Sequence, residues 1–196
     1  IIGSIVAARR VLRDADLLIG FGGYISASAY IAAQLSGVPI VIHEANAKPG
    51  WANRLARQWA KVVAVTFDEV RESWEGSILT GIPLRESIIA IHGMRVEARQ
   101  EFRRLNCESW GLDPDKPVVA VFGGSQGSRR INQVIDELME EKIAADEFQI
   151  IHAVGVNNKL PEKKPGYLPL PYFHDMAAIY GSADLLITRS GAVTCA

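Results

Sequence analysis

The 196-residue sequence has few of the features that mark specialised classes of protein. Its only cysteines, Cys107 and Cys195, lie far apart and form no CxxC pair, so we expect reduced thiols of a cytosolic protein rather than a disulfide framework. The formal net charge is −1, which gives no reason to expect nucleic acid or another strongly charged partner. No basic segment and cleavage site of a signal peptide are visible. Because the chain begins at Ile1 and stops without a helix-ending signal, we expect both ends to be cuts through a longer protein.

The uncharged stretch 17–42 is long enough for a transmembrane helix but lacks the uninterrupted apolar character of one. Glycine and proline interrupt it at Gly20, Gly22, Gly23, Gly37 and Pro39. A strand, a glycine turn, a helix and a second strand explain this pattern better.

Short apolar runs alternate with helical patterns along the chain. The predicted strands are 16–21, 38–43, 61–66, 77–80, 118–122, 148–153 and 184–188. Apolar residues at helical spacing predict helices over 49–60 and 128–142, and a charged helix pattern covers 96–105. Continuous apolar strands between helices are typical of an α/β fold with parallel sheets covered on both faces.

The middle of the chain differs in composition and predicts a passage between two domains. We expect a first domain over 1–84, an interdomain linker and helix over 85–116, and a second domain over 117–196. In each domain, strands are followed by a glycine-rich turn and a helix, as in Rossmann-like domains.

Polar or glycine-rich segments follow five of the predicted strands. They occupy residues 20–24, 43–46, 80–85, 123–128 and 188–192. Ligands of open parallel sheets bind outside the carboxyl ends of the strands, so these segments predict a binding site.

The glycine loop 123–128 lies between a strand and a helix, where backbone amides and a helix N-terminus can bind a phosphate. Ser125 and Gln126 could also hydrogen-bond a nucleotide, while the alternative is a tight turn with a serine cap. Residues 22–24 have the same architecture, and the alternative there is close packing of a small-residue helix.

Charged and polar side chains add possible chemistry at two of these strand ends. His43, Glu44 and Asn46 could bind sugar hydroxyls, with Glu44 as a possible proton acceptor; the alternative is a hydrogen-bonded structural histidine. Arg85 suits a diphosphate, or is a solvated surface arginine.

Two weaker patterns concern metals and membranes. Asp14 with Asp16, and Asp113 with Asp115, imitate a DxD metal motif but do not follow strands, so no metal site is predicted. Residues 1–13 form a helix pattern with nearby arginines that could touch an anionic membrane, or a helix packed on its sheet.

Together these segments resemble the MurG glycosyltransferases, which transfer N-acetylglucosamine to the lipid-linked peptidoglycan precursor. The matching pieces, in order, are GFGGY at 20–24, HEAN at 43–46 with the following 49–54, GIPLR at 81–85, FGGSQGSRRIN at 122–132, HDMAAIY at 174–180 and TRSGAVT at 188–194. The resemblance implies a GT-B fold of two Rossmann-like domains with parallel sheets facing a cleft, both truncated here. The sequence departs from the family at Ile82, where asparagine is usual, and at His174, where an acidic residue is usual.

The resemblance also implies roles for single residues. Asn46 would contact either the donor or the sugar acceptor. The other substrate-binding residues implied are Arg85, Gly124, Ser125, Gln126, Phe173, Arg189, Ala192, Val193 and Thr194. The acceptor side is lined by Gly22, Gly23, Tyr24, His43 and Glu44. No catalytic residue is assigned firmly, because the family's histidine-bearing loop is absent from this chain, and the piece alone is expected to be inactive.

The implied reaction is inverting transfer from UDP-N-acetylglucosamine to undecaprenyl-pyrophosphoryl-muramyl-pentapeptide, without metal or other cofactor. It implies peripheral binding to the cytoplasmic face of the bacterial inner membrane and a part in cell shape and division. The alternatives are another GT-B enzyme of UDP-sugars, such as an epimerase or glycolipid synthase, and a non-catalytic half-protein that binds UDP-sugar. A nicotinamide-dependent Rossmann enzyme is disfavoured because GxGxxG and its downstream acidic residue do not occur in the required form.

Overall fold

The computed structural model describes residues 2–140, 147–191 and 194. The chain divides into two compact units: the first is built from Ile1–Pro83 together with the described residues of Gly191–Ala196, and the second from Leu84–Ser190. The domain limits predicted from the sequence remain predictions. Within residues 2–140, 147–191 and 194, no helix combines the length and the apolar character needed to cross a bilayer.

The first unit contains a four-stranded, fully parallel sheet in the order β1-β2-β3-β4. Its strands are β1 (Leu18–Gly20), β2 (Ile40–Glu44), β3 (Ala60–Val65) and β4 (Ile78–Leu79). Its helices are α1 (Ile2–Val11), α2 (Tyr24–Ser36), α3 (Trp51–Ala56) and α4 (Asp68–Ser73).

Small residues let α2 lie close to this sheet. Ala32 and Ala33 are fully buried, and the ring of Tyr30 is buried against Gly20. A Cβ atom added to Gly20 would lie 2.2 Å from Tyr30, so only glycine fits at the end of β1. The close packing of a small-residue helix on the sheet, given above as the alternative for residues 22–24, is therefore present in α2. It does not conflict with ligand binding by the turn that precedes α2.

The second unit contains another parallel four-stranded sheet, in the order β7-β6-β5-β8. Its strands are β5 (Val118–Phe122), β6 (Gln149–Ala153), β7 (Tyr167–Leu170) and β8 (Leu185–Thr188). Its helices are α5 (Glu86–His92), α6 (Val96–Trp110), α7 (Arg129–Glu140) and α8 (Met176–Ser182). Since β6 and β8 flank β5 on opposite sides, the strand order reverses at β5, which is where doubly wound sheets bind ligands.

The predicted α/β fold with parallel sheets is confirmed, with local corrections. Strand β7 is absent from the predicted set because Pro169 lies within it, and β7 is an edge strand, where proline is tolerated. Helix α6 continues beyond the predicted 96–105 to Trp110 and ends at Gly111 in a left-handed conformation. The predicted helix over 49–60 is shorter, because Ala60 already begins β3. Residues 141 and 142 of the predicted helix 128–142 lie outside the described residues.

Helices α5 and α6 belong to the second unit. Both pack against α8. Arg103 on α6 anchors this packing, because its guanidinium donates to the carbonyl oxygens of Pro114, Lys116 and Ser182. It also pairs with Asp184 at 2.9 Å, and that carboxylate accepts a hydrogen bond from the Val118 amide at the start of β5.

Candidate functional site

In the first unit, a glycine turn connects β1 to α2. Gly22 and Gly23 have φ angles of +86° and +89°, a region that side chains with a Cβ atom rarely adopt. The Ser26 hydroxyl donates to the Gly22 carbonyl and closes the turn against the first turn of α2. The turn is therefore a built feature of the carboxyl end of β1, and Tyr24 begins the helix directly after it.

The Glu44 carboxylate is the centre of a buried polar cluster at the end of β2. Its Oε1 accepts hydrogen bonds from the backbone amide and the side-chain amide of Asn46, at 3.0 and 2.9 Å. Its Oε2 accepts from the Gly50 amide at 3.0 Å and from Asn53 Nδ2 at 2.9 Å. Glu44 thus orders the loop that presents Asn46 and the start of α3, and its predicted part as a proton acceptor stays a prediction.

Asn53 connects this cluster to α2. Its Oδ1 accepts a hydrogen bond of 2.7 Å from the hydroxyl of Tyr30, while its Nδ2 donates a hydrogen bond to the Glu44 carboxylate. Burial is the main cause that raises the pKa of the Tyr30 hydroxyl. The hydroxyl therefore stays protonated and able to donate at neutral pH, which fixes the orientation of the Asn53 amide.

His43 lies at the same strand end and is almost fully buried. Its Nε2 is 2.8 Å from the carbonyl oxygen of Gly81, and its ring packs against Phe21 with centroids 5.5 Å apart. A carbonyl can only accept, so Nε2 donates this hydrogen bond. Among the described residues, Nδ1 has no hydrogen-bond partner.

Exposed aromatic rings flank the polar cluster. Tyr24 is 84 % exposed and Trp51 is 52 % exposed, and their ring centroids are 6.1 Å apart. The carboxyl ends of β1 and β2 therefore present ordered amide groups beside an open apolar surface, an arrangement suited to a ligand with both polar and apolar parts.

In the second unit, the glycine loop 123–128 connects β5 to α7. Gly124 and Gly127 have positive φ angles, and the Gly127 amide donates to the Gly124 carbonyl at 2.9 Å. Gly124, Ser125 and Gln126 are exposed. The loop leads directly into α7, so free amides and the positive end of the helix dipole face the same side.

A groove of about 410 Å³ runs between the N-terminal ends of α5 and α8. Arg85, His174 and Met176 line it, and Arg85 is exposed. Asp175 caps α8, since its carboxylate accepts a hydrogen bond of 3.0 Å from the Ala178 amide. The arginine that the sequence assigns to a diphosphate therefore lies beside the segment predicted to contact a uracil.

Phe173 connects that segment to the glycine loop. Its side chain is buried and packs edge-on against Phe122, with ring centroids 5.8 Å apart. Phe122 is the last residue of β5, directly before the loop. The buried ring leaves the backbone of Phe173 as the part that can meet a ligand.

The end of β8 is next to the glycine loop, because Thr188 pairs with Phe122 in the sheet. Arg189 follows and lines an apolar groove together with Ser128 and the α7 residue Ile131. The Thr194 amide donates to the Gly191 carbonyl at 2.9 Å. Ala192 and Val193 lie outside the described residues, so their predicted roles stay predictions.

The segment 154–158 follows β6 at the same edge of the sheet and is not among the predicted site residues. It packs directly against the glycine loop, and an Asn158 amide hydrogen bond of 2.9 Å reaches the Gln126 carbonyl. The signal was present, because a Gly-Val-Asn-Asn sequence after a predicted strand is typical of a turn at a strand's carboxyl end.

Each unit therefore has the architecture of a Rossmann-like domain, with glycine turns and polar groups at the carboxyl ends of parallel strands. Comparisons with known proteins give the family. Residues 1–65 match the glycosyltransferase family 28 N-terminal domain, and residues 118–196 match the glycosyltransferase family 28 C-terminal domain. The chain belongs to glycosyltransferase family 28.

Curated relatives carry the name UDP-N-acetylglucosamine–N-acetylmuramyl-(pentapeptide) pyrophosphoryl-undecaprenol N-acetylglucosamine transferase. The relative from Corynebacterium glutamicum is 44 % identical over 191 residues, covering 96 % of this chain and 51 % of the relative. The relative from Streptomyces coelicolor is 43 % identical over 201 residues, covering 99 % of this chain and 53 % of the relative. The chain spans about half the length of the curated relatives it matches.

Solved structures agree with this assignment. Acinetobacter baumannii MurG superimposes with a TM-score of 0.63 at 27 % identity, covering 98 % of this chain and 53 % of that one. A Staphylococcus aureus MnaA–UDP structure has the same TM-score at 16 % identity, covering 97 % of this chain and 58 % of that one, and supports the fold alone. The resemblance to MurG and the GT-B fold predicted from it are confirmed.

Proposed function

We propose that the whole protein is an inverting glycosyltransferase that moves N-acetylglucosamine from UDP-N-acetylglucosamine to the lipid-linked muramyl-pentapeptide of peptidoglycan synthesis. The relatives' name supplies the two substrates. The observation that carries the proposal is the exposed glycine loop 123–128, which leads into α7 beside the end of β8. The same assignment gives the protein its part in cell shape and division.

On the donor side, the chemistry required is stabilisation of a leaving diphosphate. Negative charge builds up on UDP as the bond to the sugar breaks, and amides of the loop with the dipole of α7 stabilise that charge. The Arg85 guanidinium adds a permanent positive charge. Gly124, Ser125 and Gln126 bind the nucleotide, Phe173 offers its backbone to the uracil, and Arg189 with residues 192–194 lies along the donor. No metal or other cofactor is required for this step.

On the acceptor side, the ordered groups of the first unit hold the sugar hydroxyl for attack. Glu44 fixes Asn46 through two hydrogen bonds, so its amide can orient a sugar without reorganising. Tyr24 and the glycines of the 22–24 turn line the same strand end. His43 and Glu44 are the candidates for proton transfer within this chain.

We extend the proposal to peripheral binding at the cytoplasmic face of the inner membrane. Arg9, Arg10 and Arg13 are exposed and line a groove between α1 and α2. Apolar Val6 and Leu35 lie in the same groove, and Leu35 is 61 % exposed. Basic and apolar side chains side by side suit a surface of anionic lipid, where each basic residue contributes about 1 kcal/mol.

The membrane proposal is tested by co-sedimentation with vesicles that contain or lack phosphatidylglycerol. Arg9→Gln combined with Arg13→Gln should weaken binding to the anionic vesicles by roughly tenfold or more, as expected for two lost charges. Arg95→Gln combined with Arg99→Gln removes the same charge from the exposed face of α5–α6 and should change little. Equal binding by all three proteins would refute the proposal.

The enzymatic proposal is tested with the protein encoded by the complete gene that contains these residues. It should release UDP from UDP-N-acetylglucosamine only when a lipid-linked muramyl-pentapeptide, or a short-chain analogue, is present. Epimerisation of the donor without an acceptor would instead identify a UDP-sugar epimerase. Binding of UDP-sugar without turnover of either kind would identify a non-catalytic binding protein.

A further inference from the structure

The segment 154–158 touches both parts of the second unit that the proposed function assigns to the donor. On one side it contacts the glycine loop, where the Val156 amide donates to the Ser125 carbonyl at 3.1 Å. On the other side, the Gly155 amide donates to the Pro171 carbonyl at 3.1 Å, two residues before Phe173. The segment therefore connects the phosphate loop to the segment predicted to meet the uracil.

The contact with the glycine loop is close enough to require glycine on both sides. A Cβ atom added to Gly127 would lie 2.0 Å from the Val154 carbonyl oxygen. A Cβ atom added to Gly155 would lie 2.4 Å from the backbone of Gln126. The two backbones are thus in van der Waals contact, and the geometry of one loop sets that of the other.

Asn158 joins the two backbones through its side-chain amide. Its Nδ2 donates to the Gln126 carbonyl at 2.9 Å and to the Val154 carbonyl at 2.7 Å. Both partners can only accept, so the orientation of the amide follows from the network. The peptide between Gln126 and Gly127 is held at both ends, because the Gly127 amide donates to the Gly124 carbonyl.

We propose that Asn158 is a positioning residue for the donor diphosphate, which acts by fixing the Gln126–Gly127 peptide of the glycine loop. This inference rests on the proposed function of the loop. A loop whose amides already point at the phosphate binds it without a cost of reorganisation. Asn158 itself does not touch the donor.

Asn157 provides a matched control one residue away. Its Nδ2 donates to the Gln126 side-chain oxygen at 2.9 Å, on the exposed surface. In Asn157→Asp the Gln126 amide can rotate and donate to the new carboxylate, so this bond is kept. In Asn158→Asp the carboxylate faces two backbone carbonyls that cannot donate, so both bonds are lost while size and added charge match those of the control.

The experiment uses the complete protein and measures UDP affinity by calorimetry, together with the KM values for donor and acceptor. Asn158→Asp should weaken UDP binding and raise the donor KM about tenfold, equivalent to about 1.4 kcal/mol. Asn158→Ala tests the same loss if the aspartate variant does not fold, and should raise both the dissociation constant for UDP and the donor KM severalfold. The acceptor KM should stay within about twofold in every variant, and Asn157→Asp, which adds the same charge beside the Gln126 side chain, should weaken UDP binding and raise the donor KM by no more than about threefold.

An unchanged UDP affinity in both Asn158 variants would overturn the positioning role and leave the proposed function intact. Parallel increases of donor and acceptor KM would also overturn it, because they indicate general loss of structure. A wild-type protein that binds neither UDP nor UDP-N-acetylglucosamine would overturn the proposed function and this inference with it.

Discussion

Replacing Glu44 by glutamine tests whether the buried carboxylate organises the first unit. Each carboxylate oxygen accepts hydrogen bonds from two donors, so a glutamine NH2 group must face one of these pairs. The glutamine NH2 group should face the two Asn46 donors, because Asn46 is exposed, its side-chain amide can rotate and water can reach it. The glutamine oxygen then accepts the hydrogen bonds from Gly50 and buried Asn53, but without the negative charge of the carboxylate.

The cost follows from these contacts. One hydrogen bond from a backbone amide is lost, and two others change from charged to neutral acceptors, each a difference of about 1 kcal/mol. We therefore expect Glu44→Gln to lower the free energy of unfolding by about 2 to 3 kcal/mol. With a urea m-value of about 1.5 kcal/mol per molar, the midpoint should fall by about 1.3 to 2 M.

Tryptophan fluorescence can follow this transition selectively. Trp51, Trp59 and Trp74 belong to the first unit, and Trp110→Phe removes the tryptophan of the second unit. Glu72→Gln, an equal change on the exposed surface of α4, should shift the midpoint by less than about 0.3 M. If Glu44→Gln and Glu72→Gln unfold at the same urea concentration, the carboxylate does not organise this unit.

Four further predictions concern both units. Burial lowers the pKa of His152 to about 4 from 6.5, so between these pH values the unfolded chain binds more protons than the folded chain. The free energy of unfolding of the second unit should therefore fall by up to about 3 kcal/mol as the pH is lowered from 6.5 to 4. His152→Asn should make the stability measured in urea titrations depend less on pH over this range. Arg103→Lys keeps the positive charge but loses the hydrogen bonds to three carbonyl oxygens, and should lower the free energy of unfolding of the second unit by about 2 to 3 kcal/mol in the same titration. An unchanged free energy of unfolding would contradict the anchoring role. Gly20→Ala places a methyl group against the buried Tyr30 ring and should lower the free energy of unfolding of the first unit by about 1 to 3 kcal/mol, whereas Gly3→Ala on exposed α1, where an added Cβ atom meets no atom within 4 Å, should not lower it. In the complete protein, Arg85→Ala should lower kcat/KM for the donor by about 100-fold or more, while EDTA should leave the rate unchanged; unchanged kinetics of the variant would rule out its contact with the diphosphate.

Most of the sheets could be predicted because their strands are apolar throughout. Residues 118–122 form β5 with the predicted limits, since a central parallel strand is buried on both faces and leaves no polar position. Strand β7 could not be found this way, because its proline imitates a loop. The full length of α6 was missed because its last turns are polar and precede a segment rich in glycine and proline.

Placement of the site was predictable in part. Parallel strands bring their carboxyl ends to one edge, so Ser125 and Thr188 could be placed together without coordinates. Contacts that depend on the path of a loop could not be read from spacing. Asn53 reaches Glu44 only because α3 begins at Trp51, and Asn158 reaches the glycine loop only because Gly155 lets the chain turn.

The proline in β7 also limits intermolecular association through the edge of the second unit's sheet. Hydrogen bonds to β6 use Gly166 and Leu170, so the alternate residue Pro169 turns its nitrogen outward, where a foreign strand would otherwise find a donor. Strand β8, at the opposite margin of the sheet, contains no proline and exposes Leu185. Intermolecular β-pairing of the second unit's sheet should therefore proceed through β8 rather than β7, and a lysine or proline placed in β8 should reduce that pairing in concentrated solution.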